Sequence, residues 1–274
     1  MSLATGARRP RSVLRMGRAP IVQFGPAVIV FVVALVGFEW GTGAFGVETF
    51  ILPAPSAIAR ALVDNADIMI PSAQETLFEA LGGLAIGVTA GVIASFATAR
   101  WRSVGEIVLP FGIAASAVPI IAFAPVMNNW FGVLSPLSKM MIVAVMVFFP
   151  VLTNVTQGLR DVDESALELM RSYAASDWAI LRRLRIPHAL PSFFVALKIA
   201  TTLSLIGAIV GEYFGGSDLV LARRITQGGS TLRFDQVWAA IAIAAAFGIV
   251  MYLAVSGFAR LVIPWHRSQR ATGS

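Results

Sequence analysis

The sequence predicts an all-α protein that crosses a membrane with about six helices. Only 13% of its 274 residues are charged and 57% are hydrophobic, whereas soluble domains carry about 25% charged residues. The mean hydropathy is +0.78, so the chain lacks the polar surface that a protein shows to water. Basic residues also alternate between the segments that join the apolar stretches, which is typical of polytopic membrane proteins.

Six apolar stretches are candidate membrane spans. A spanning helix needs about 20 apolar residues, because only a helix satisfies its own backbone hydrogen bonds in the hydrocarbon core. The predicted spans are residues 24–40, 76–99, 106–127, 137–158, 193–214 and 237–263. Pro110, Pro119 and Pro125 should interrupt the third span. In the second, glycines at four-residue spacing should allow close packing against a neighbouring helix or a second copy of the chain: Gly83, Gly87 and Gly91.

The distribution of basic residues predicts the orientation. With six spans, sixteen of the 21 lysines and arginines fall on one side, which is then the cytoplasmic side. The predicted organisation is a basic cytoplasmic arm at 1–23, one membrane domain at 24–264 with a large cytoplasmic loop at about 160–191, and a cytoplasmic tail at 265–274. Both termini are therefore expected in the cytoplasm. On the opposite side, Ser56 should cap a short helix from Ala57 to about Asn65.

Several classes of chemistry have no support in the sequence. There is no cysteine and no Gly-x4-Gly-Lys-Ser/Thr phosphate loop, so neither thiolate chemistry nor ATP hydrolysis by this chain is expected. His188 and His266 are the only histidines and lack ligand-spaced partners, so we expect no metal and no cofactor. The net charge of +6 is explained by membrane-flanking loops, so no nucleic-acid partner is expected.

The large loop is patterned as two short helices. Asp161 and Glu164 have the spacing of a capping box, and an apolar stripe follows at helical spacing. Ser176 or Asp177 should cap the second helix, which should end at Ile186-Pro187 because the residue before proline avoids the helical region. The mostly acidic polar face argues against a lipid-surface helix. Packing on the chain's own bundle and docking to a partner both remain open.

The loop resembles the EAA loop of binding-protein-dependent ABC importer permeases. That pattern reads Glu-Ala-Ala, three residues, Gly, nine residues and Ile-x-Leu-Pro; here Glu168-Leu169-Met170, Ala174 and Leu184-Arg185-Ile186-Pro187 keep its spacing. Because alanine continues a helix more readily than glycine, the bend should be shallower, or lie at Ala175-Ser176. Segments 52–56, 118–125 and 211–212 are similar to the subfamily for nitrate, sulfonates and taurine, which includes vitamin-precursor permeases.

The resemblance implies a type I importer in the cell membrane. A cytoplasmic ATP-binding subunit, an extracytoplasmic solute-binding protein and a second permease copy are the expected partners, and the transported solute would be a sulfonate, taurine, nitrate or vitamin precursor. The coupling residues it implies are Glu164, Glu168, Leu169, Met170, Ala174, Leu184, Ile186 and Pro187.

Polar and helix-breaking residues within the spans are candidates for the translocation pathway. They are Pro119, Pro125, Asn128, Asn154 and Glu212. The alternative for the polar members is hydrogen bonding between helices, and Glu212 could instead pair with Arg223 or Arg224. A self-contained secondary transporter is the alternative function. It would usually show acids at mid-bilayer and internal repeats, and neither is evident in the sequence.

Overall fold

The computed structural model describes residues 20–46, 48, 51–116 and 119–264. Within these ranges every regular secondary-structure element is a helix. The helices are α1 (Pro20–Ala44), α2 (Pro55–Asp64), α3 (Ala66–Arg100), α4 (Arg102–Ser116), α5 (Phe123–Phe131), α6 (Pro136–Arg160), α7 (Glu164–Ser172), α8 (Asp177–Ile180), α9 (Ile186–Tyr213), α10 (Leu221–Ser230) and α11 (Phe234–Val262). A 3₁₀ turn (Ile120–Ala122) precedes α5, and a π-helical segment (Leu181–Arg185) joins α8 to α9. Most of the predicted arm and the whole predicted tail lie outside the described residues.

Four helical segments of the described chain are long and apolar enough to cross a bilayer. They are Ala66–Arg100, Pro136–Arg160, Asp177–Tyr213 and Phe234–Val262, and Val28–Ala44 adds a shorter apolar stretch. The prediction of an all-α membrane protein is therefore confirmed. The second and fifth spans begin earlier than expected, because their helices continue through the polar residues that flank the apolar part.

The core is formed where α6 packs between α3 and α9. Val143, Val147 and Val151 are completely buried on one face of α6. They face the glycines of α3 at a constant offset: Gly83 lies at Val143 and Gly91 at Val151, so α3 and α6 run parallel. The predicted close packing of these glycines is thus made within the chain. On the other side α9 runs antiparallel, with Ala196, Ala200 and Ala208 in the same core.

Gly87 gives the closest test of this packing. An added Cβ there would lie 2.6 Å from the carbonyl oxygen of Ala144, and this backbone atom has no room to move. We expect Gly87→Ala to destabilise the protein by about 1–3 kcal/mol, measured as a lower unfolding midpoint in detergent. Gly257→Ala in α11 is the matched control, since no described atom lies within 4 Å of its added Cβ. Equal midpoints for the two variants would contradict this packing.

The two ends of the bundle carry different short helices. We call the end with α2 and α10 the outer end, and the end with α7 the inner end. At the outer end, Ala61 of α2, Met69 of α3, Leu221 of α10 and Ala239 of α11 share a second buried cluster. The short helices α2 and α10 are therefore packed onto the bundle rather than held only by their loops.

The third predicted span is divided, but not as expected. Pro110 lies inside α4 and does not end it, so the prediction that it interrupts the span is wrong; proline is tolerated where neighbouring groups satisfy the freed backbone. Pro119 lies in the break before the 3₁₀ turn, where the residues 117 and 118 are outside the described part. Pro125 lies in the first turn of α5, where a missing amide costs no helical hydrogen bond.

Ser56 does not cap α2. The helix begins at Pro55 with Ala54 as its N-cap and no capping side chain. The Ser56 hydroxyl instead donates to Oε1 of Glu39 at 2.7 Å, and its amide donates to Oε2 at 2.9 Å. The prediction was wrong because proline occupies the first helical position and sets the entry of the chain. The serine thereby ties α2 to α1.

Candidate functional site

The inner-end helix α7 exposes side chains that the bundle does not cover. All nine of its residues are described, and none is fully buried. Ala166, Leu167 and Met170 are half-buried toward the bundle. Leu169, Tyr173 and Trp178 are 58%, 79% and 67% exposed, and Glu164 and Glu168 beside them are exposed as well. We call these last five residues the α7 surface.

The start of α7 differs from the predicted capping box. Asp163 is the N-cap, and its Oδ1 accepts from the amide of Ser165 at 3.0 Å and from its hydroxyl at 2.9 Å. Asp161 instead follows the end of α6, where its amide donates to the carbonyl of Gln157 at 2.8 Å. The predicted capping box is wrong because Glu164 is the first helical residue, two positions before the third one, from which an acidic side chain returns to the cap.

The bend after α7 is sharp and centred on Ala174. This residue has φ +51°, in the left-handed region. The Ala175 amide donates to the Met170 carbonyl at 3.0 Å and the Ala174 amide to the Arg171 carbonyl at 2.9 Å. These two bonds define a Schellman motif, which usually has glycine at this position. The expectations of a shallower bend, or of one at Ala175-Ser176, are both wrong, because the helix end rather than alanine's helix propensity decides the conformation.

Ala174→Gly should therefore strengthen the loop. The left-handed conformation of an L-residue costs about 1–2 kcal/mol of stability. Glycine avoids this cost, but it loses part of the gain because it is more flexible in the unfolded chain. We expect a net gain of about 1 kcal/mol, measured as slower amide hydrogen exchange across residues 164–175. Ala175→Gly is the control, since Ala175 is not in that region, and there exchange should become faster. Slower exchange in both variants would contradict the assigned geometry.

The second helix of the loop does not end at Ile186-Pro187. Ser176 caps α8 as predicted, accepting from the Ala179 amide at 3.3 Å. The chain then passes through the π-helical segment directly into α9, so Asp177–Tyr213 is helical throughout its 37 residues. In a π-helical turn each amide bonds to the carbonyl five residues back instead of four. This shift accommodates Pro187, which has no amide hydrogen to donate. The predicted end of the helix is wrong.

The predicted coupling residues fall into two groups. Glu164, Glu168 and Leu169 lie on the α7 surface, with Met170 half-buried beside them and Ala174 at the bend. Leu184, Ile186 and Pro187 lie at the base of α9 and are half-buried, and Ile186 packs against the main core. The first group is presented outward, whereas the second joins the loop to the bundle.

A buried charged cluster lies at the outer end. Lys139 of α6 is completely buried, and Glu79 of α3 and Glu212 of α9 are 2% and 5% exposed. The ammonium lies near enough to both carboxyl groups to attract them electrostatically, although the described ion pairs within 4.0 Å do not include it. The Lys139 ammonium also donates to the carbonyls of Val133 and Ser135. The cluster therefore links three spans and the turn before α6.

Glu212 also holds the start of α10. Its Oε2 accepts from the amide of Ala222 at 3.0 Å, and Oγ1 of Thr76 accepts from the amide of Leu221 at 3.0 Å. Both amides belong to the first turn of α10, whose donors have no partner within the helix and favour a negative charge. Arg223 forms its ion pair with Asp218, at 3.2 Å, rather than with Glu212.

The other pathway candidates are scattered. Asn128 is buried at the outer end, where its amide donates to the Phe214 carbonyl at 3.3 Å, close to Glu212 in the chain. Asn154 bonds to Pro150 of its own helix at 2.8 Å, roughly 22 Å along α6 from Lys139 by the helical rise. Pro119 and Pro125 are exposed. Asn128 and Glu212 are thus brought to one end of the bundle, and Asn154 is not.

Sequence reasoning missed Lys139, Glu79 and Thr76 as members of one cluster. The available signal was a single lysine in an apolar helix together with two acids in other spans, since ionisable groups in membrane helices need partners. Within the described ranges, no three His, Asp or Glu side chains come together as metal ligands do. The cluster joins α3, α6 and α9 to the start of α10.

Comparison with known proteins gives one family. Residues 87–268 match the family described as "Binding-protein-dependent transport system inner membrane component". A probable ABC transporter permease protein of Haemophilus influenzae is 30% identical over 206 residues, 75% of this chain and 83% of that protein. The formylaminopyrimidine transport permease protein ThiX of Halalkalibacterium halodurans is 30% identical, over 88% of this chain and 96% of its own length.

A further relative and a solved structure agree. The riboflavin transport system permease protein RibX of Chloroflexus aurantiacus is 27% identical, over 88% of this chain and 90% of its own length. The fold is similar to a chain of the MetNI methionine ABC transporter in an inward-facing conformation, with a TM-score of 0.55 and 18% identity over 72% of this chain and 95% of that one. At this identity the structural likeness concerns the fold.

Proposed function

Because this chain belongs to the family of binding-protein-dependent transport system inner membrane components, we propose that it is the permease subunit of an ABC importer. It forms the translocation pathway with a second copy of itself and is driven by a separate cytoplasmic ATPase. The observation that carries the proposal is the α7 surface, which is apolar and acidic, exposed, and located in the loop that keeps the EAA spacing.

The geometry of the loop supports a docking role. A helix that buried its apolar residues in its own bundle would leave only polar groups outside, but here Leu169 and Tyr173 are exposed. The Schellman bend at Ala174 turns the chain from α7 toward α8. The continuous helix that follows then connects α7 to the fifth span, as a coupling element requires.

The solute is proposed by class. The relatives' names include formylaminopyrimidine and riboflavin, which are small heterocyclic compounds. We assign a small organic or anionic solute of the sulfonate, taurine, nitrate or vitamin-precursor type, delivered by an extracytoplasmic solute-binding protein. The chain is placed in the cell membrane, with both termini in the cytoplasm, on the distribution of its basic residues.

Dependence on an ATPase tests this function. The chain should co-purify with the ATPase encoded beside it, and reconstituted vesicles should import solute only with that ATPase, ATP and the binding protein. Substituting the phosphate-loop lysine of the ATPase should abolish import while the complex remains intact. Import by the chain alone, driven by a proton or sodium gradient, would favour a secondary transporter and overturn the proposal.

A further inference from the structure

A cavity of about 1150 Å³ opens at the inner end of the bundle. It lies between the last turn of α3, the start of α4, the end of α6 and the loop helices α7 and α8. The coupling loop therefore forms one of its walls and the membrane spans form the others. The outer-end cluster contributes nothing to this cavity, and of the α7 surface only Trp178 lines it.

The lining has an apolar part and a charged part. The apolar part consists of Phe96, Ala99, Leu167, Trp178, Ile180 and Leu181. The charged part has four arginines, Arg100, Arg160, Arg171 and Arg185, against two acids, Glu106 and Asp177. The excess of positive charge favours binding of an anion. The apolar wall favours a ligand that also carries a hydrocarbon chain.

The arginines are held on different elements. Arg160 donates to the Thr98 carbonyl at 2.5 Å, and its guanidinium lies against Gly105, so its position is fixed by α3 and α4. Arg100 approaches Asp177 only to 4.0 Å, with both side chains mostly exposed, a pair that contributes little in water. Arg171 of α7 and Arg185 of the π-helical segment reach the cavity from the loop side.

The depth of the cavity is that of a membrane boundary. It lies at the ends of three spanning helices. Trp178, which lines it, is 67% exposed, and Trp101, which follows the lining residue Arg100, is 57% exposed. Tryptophan is enriched at the level of lipid headgroups, and basic pockets between helices on the cytoplasmic side suit anionic headgroups. The guanidinium fork matches phosphate oxygens in pairs.

We propose that this cavity binds the headgroup phosphate of an anionic phospholipid, with its acyl chains along the apolar wall. Arg171 and Arg185 contact the phosphate from the loop, and Arg100 and Arg160 contact it from the ends of α3 and α6. A bound lipid then joins the coupling loop to the membrane spans. The site is independent of which solute the protein transports.

Native mass spectrometry of the full-length chain in detergent tests the site with phosphatidylglycerol. We expect Arg171→Gln/Arg185→Gln to lower the ratio of lipid-bound to lipid-free chain about 25-fold, from about fivefold for each arginine. Arg182→Gln/Arg183→Gln is the matched control, because it removes the same charge from exposed arginines of the same segment that do not line the cavity. Its ratio should stay near that of the unsubstituted protein.

Three results would overturn the proposal. They are an equal loss in both double variants, equal binding of phosphatidylcholine, and displacement of the lipid by millimolar inorganic phosphate, which would make free phosphate the ligand. A photoactivatable phosphatidylglycerol on the unsubstituted chain covers the case of a variant that fails to fold. Its adducts should map to residues 96–106 and 160–185, and adducts confined to other segments would also reject the site.

Discussion

Lys139→Met is expected to destabilise the protein by about 3–5 kcal/mol, the cost of removing one partner from a buried ionic group. Lys139 is completely buried, and its ammonium acts electrostatically on Glu79 and Glu212, which are buried as well. Without the ammonium, no positive charge offsets the negative charge of this desolvated carboxyl pair, and the carbonyls of Val133 and Ser135 lose their donor. The measurement is the unfolding midpoint of the purified protein in detergent.

Lys198→Met is the control for this prediction, because Lys139 and Lys198 are the only lysines of the chain. The Lys198 ammonium lies 5.9 Å from the ring centre of Tyr252, a contact that contributes about 1 kcal/mol. Adding Glu79→Gln to Lys139→Met should recover part of the loss, since one uncompensated acid is removed while Glu212 still holds α10. A small effect of Lys139→Met, or no recovery in the double variant, would show that the three charges are not coupled.

Leu169→Asp combined with Tyr173→Asp is expected to abolish association with the ATPase and reduce import at least about 100-fold, as loss of a central interface anchor does. Both side chains are mostly exposed in this chain, so the substitutions should leave its own unfolding midpoint nearly unchanged. The loss therefore appears only when the partner is present. Co-purification of the two subunits is the direct measurement, and ATP-driven import in vesicles is the second.

Leu219→Asp provides the comparison for the α7 surface. Leu219 is 52% exposed at the outer end, so it undergoes a similar change of polarity far from the inner-end loop. The complex with the ATPase should survive this substitution. Retained association of the α7 double variant, or equal loss in Leu219→Asp, would remove the α7 surface from the docking site.

Much of the fold follows from local pattern, and the exceptions depend on contacts between distant segments. Apolar length located the four long spans of the described chain, and Ser176 was recognised as a cap from its place before a helix. Ala174 was misjudged because helix propensity describes a helix interior, whereas its conformation is set by the hydrogen bonds that close α7. The charged cluster was missed because Glu79, Lys139 and Glu212 are far apart in the chain and meet only after α3, α6 and α9 pack. Pro187 was misjudged because the π-helical turn before it lets the helix continue through the proline.

The unbroken helix from Asp177 to Tyr213 would also transmit movement from the inner end of the bundle to the outer end. Its 37 residues give a length of about 55 Å at the helical rise, with Trp178 near one end and Glu212 near the other. A tilt of about 5° at the inner end would move the outer end by roughly 5 Å, by the same length. Because Glu212 holds the first turn of α10, a movement that the proposed ATPase imposed on the inner end would reach α10 through one continuous helix.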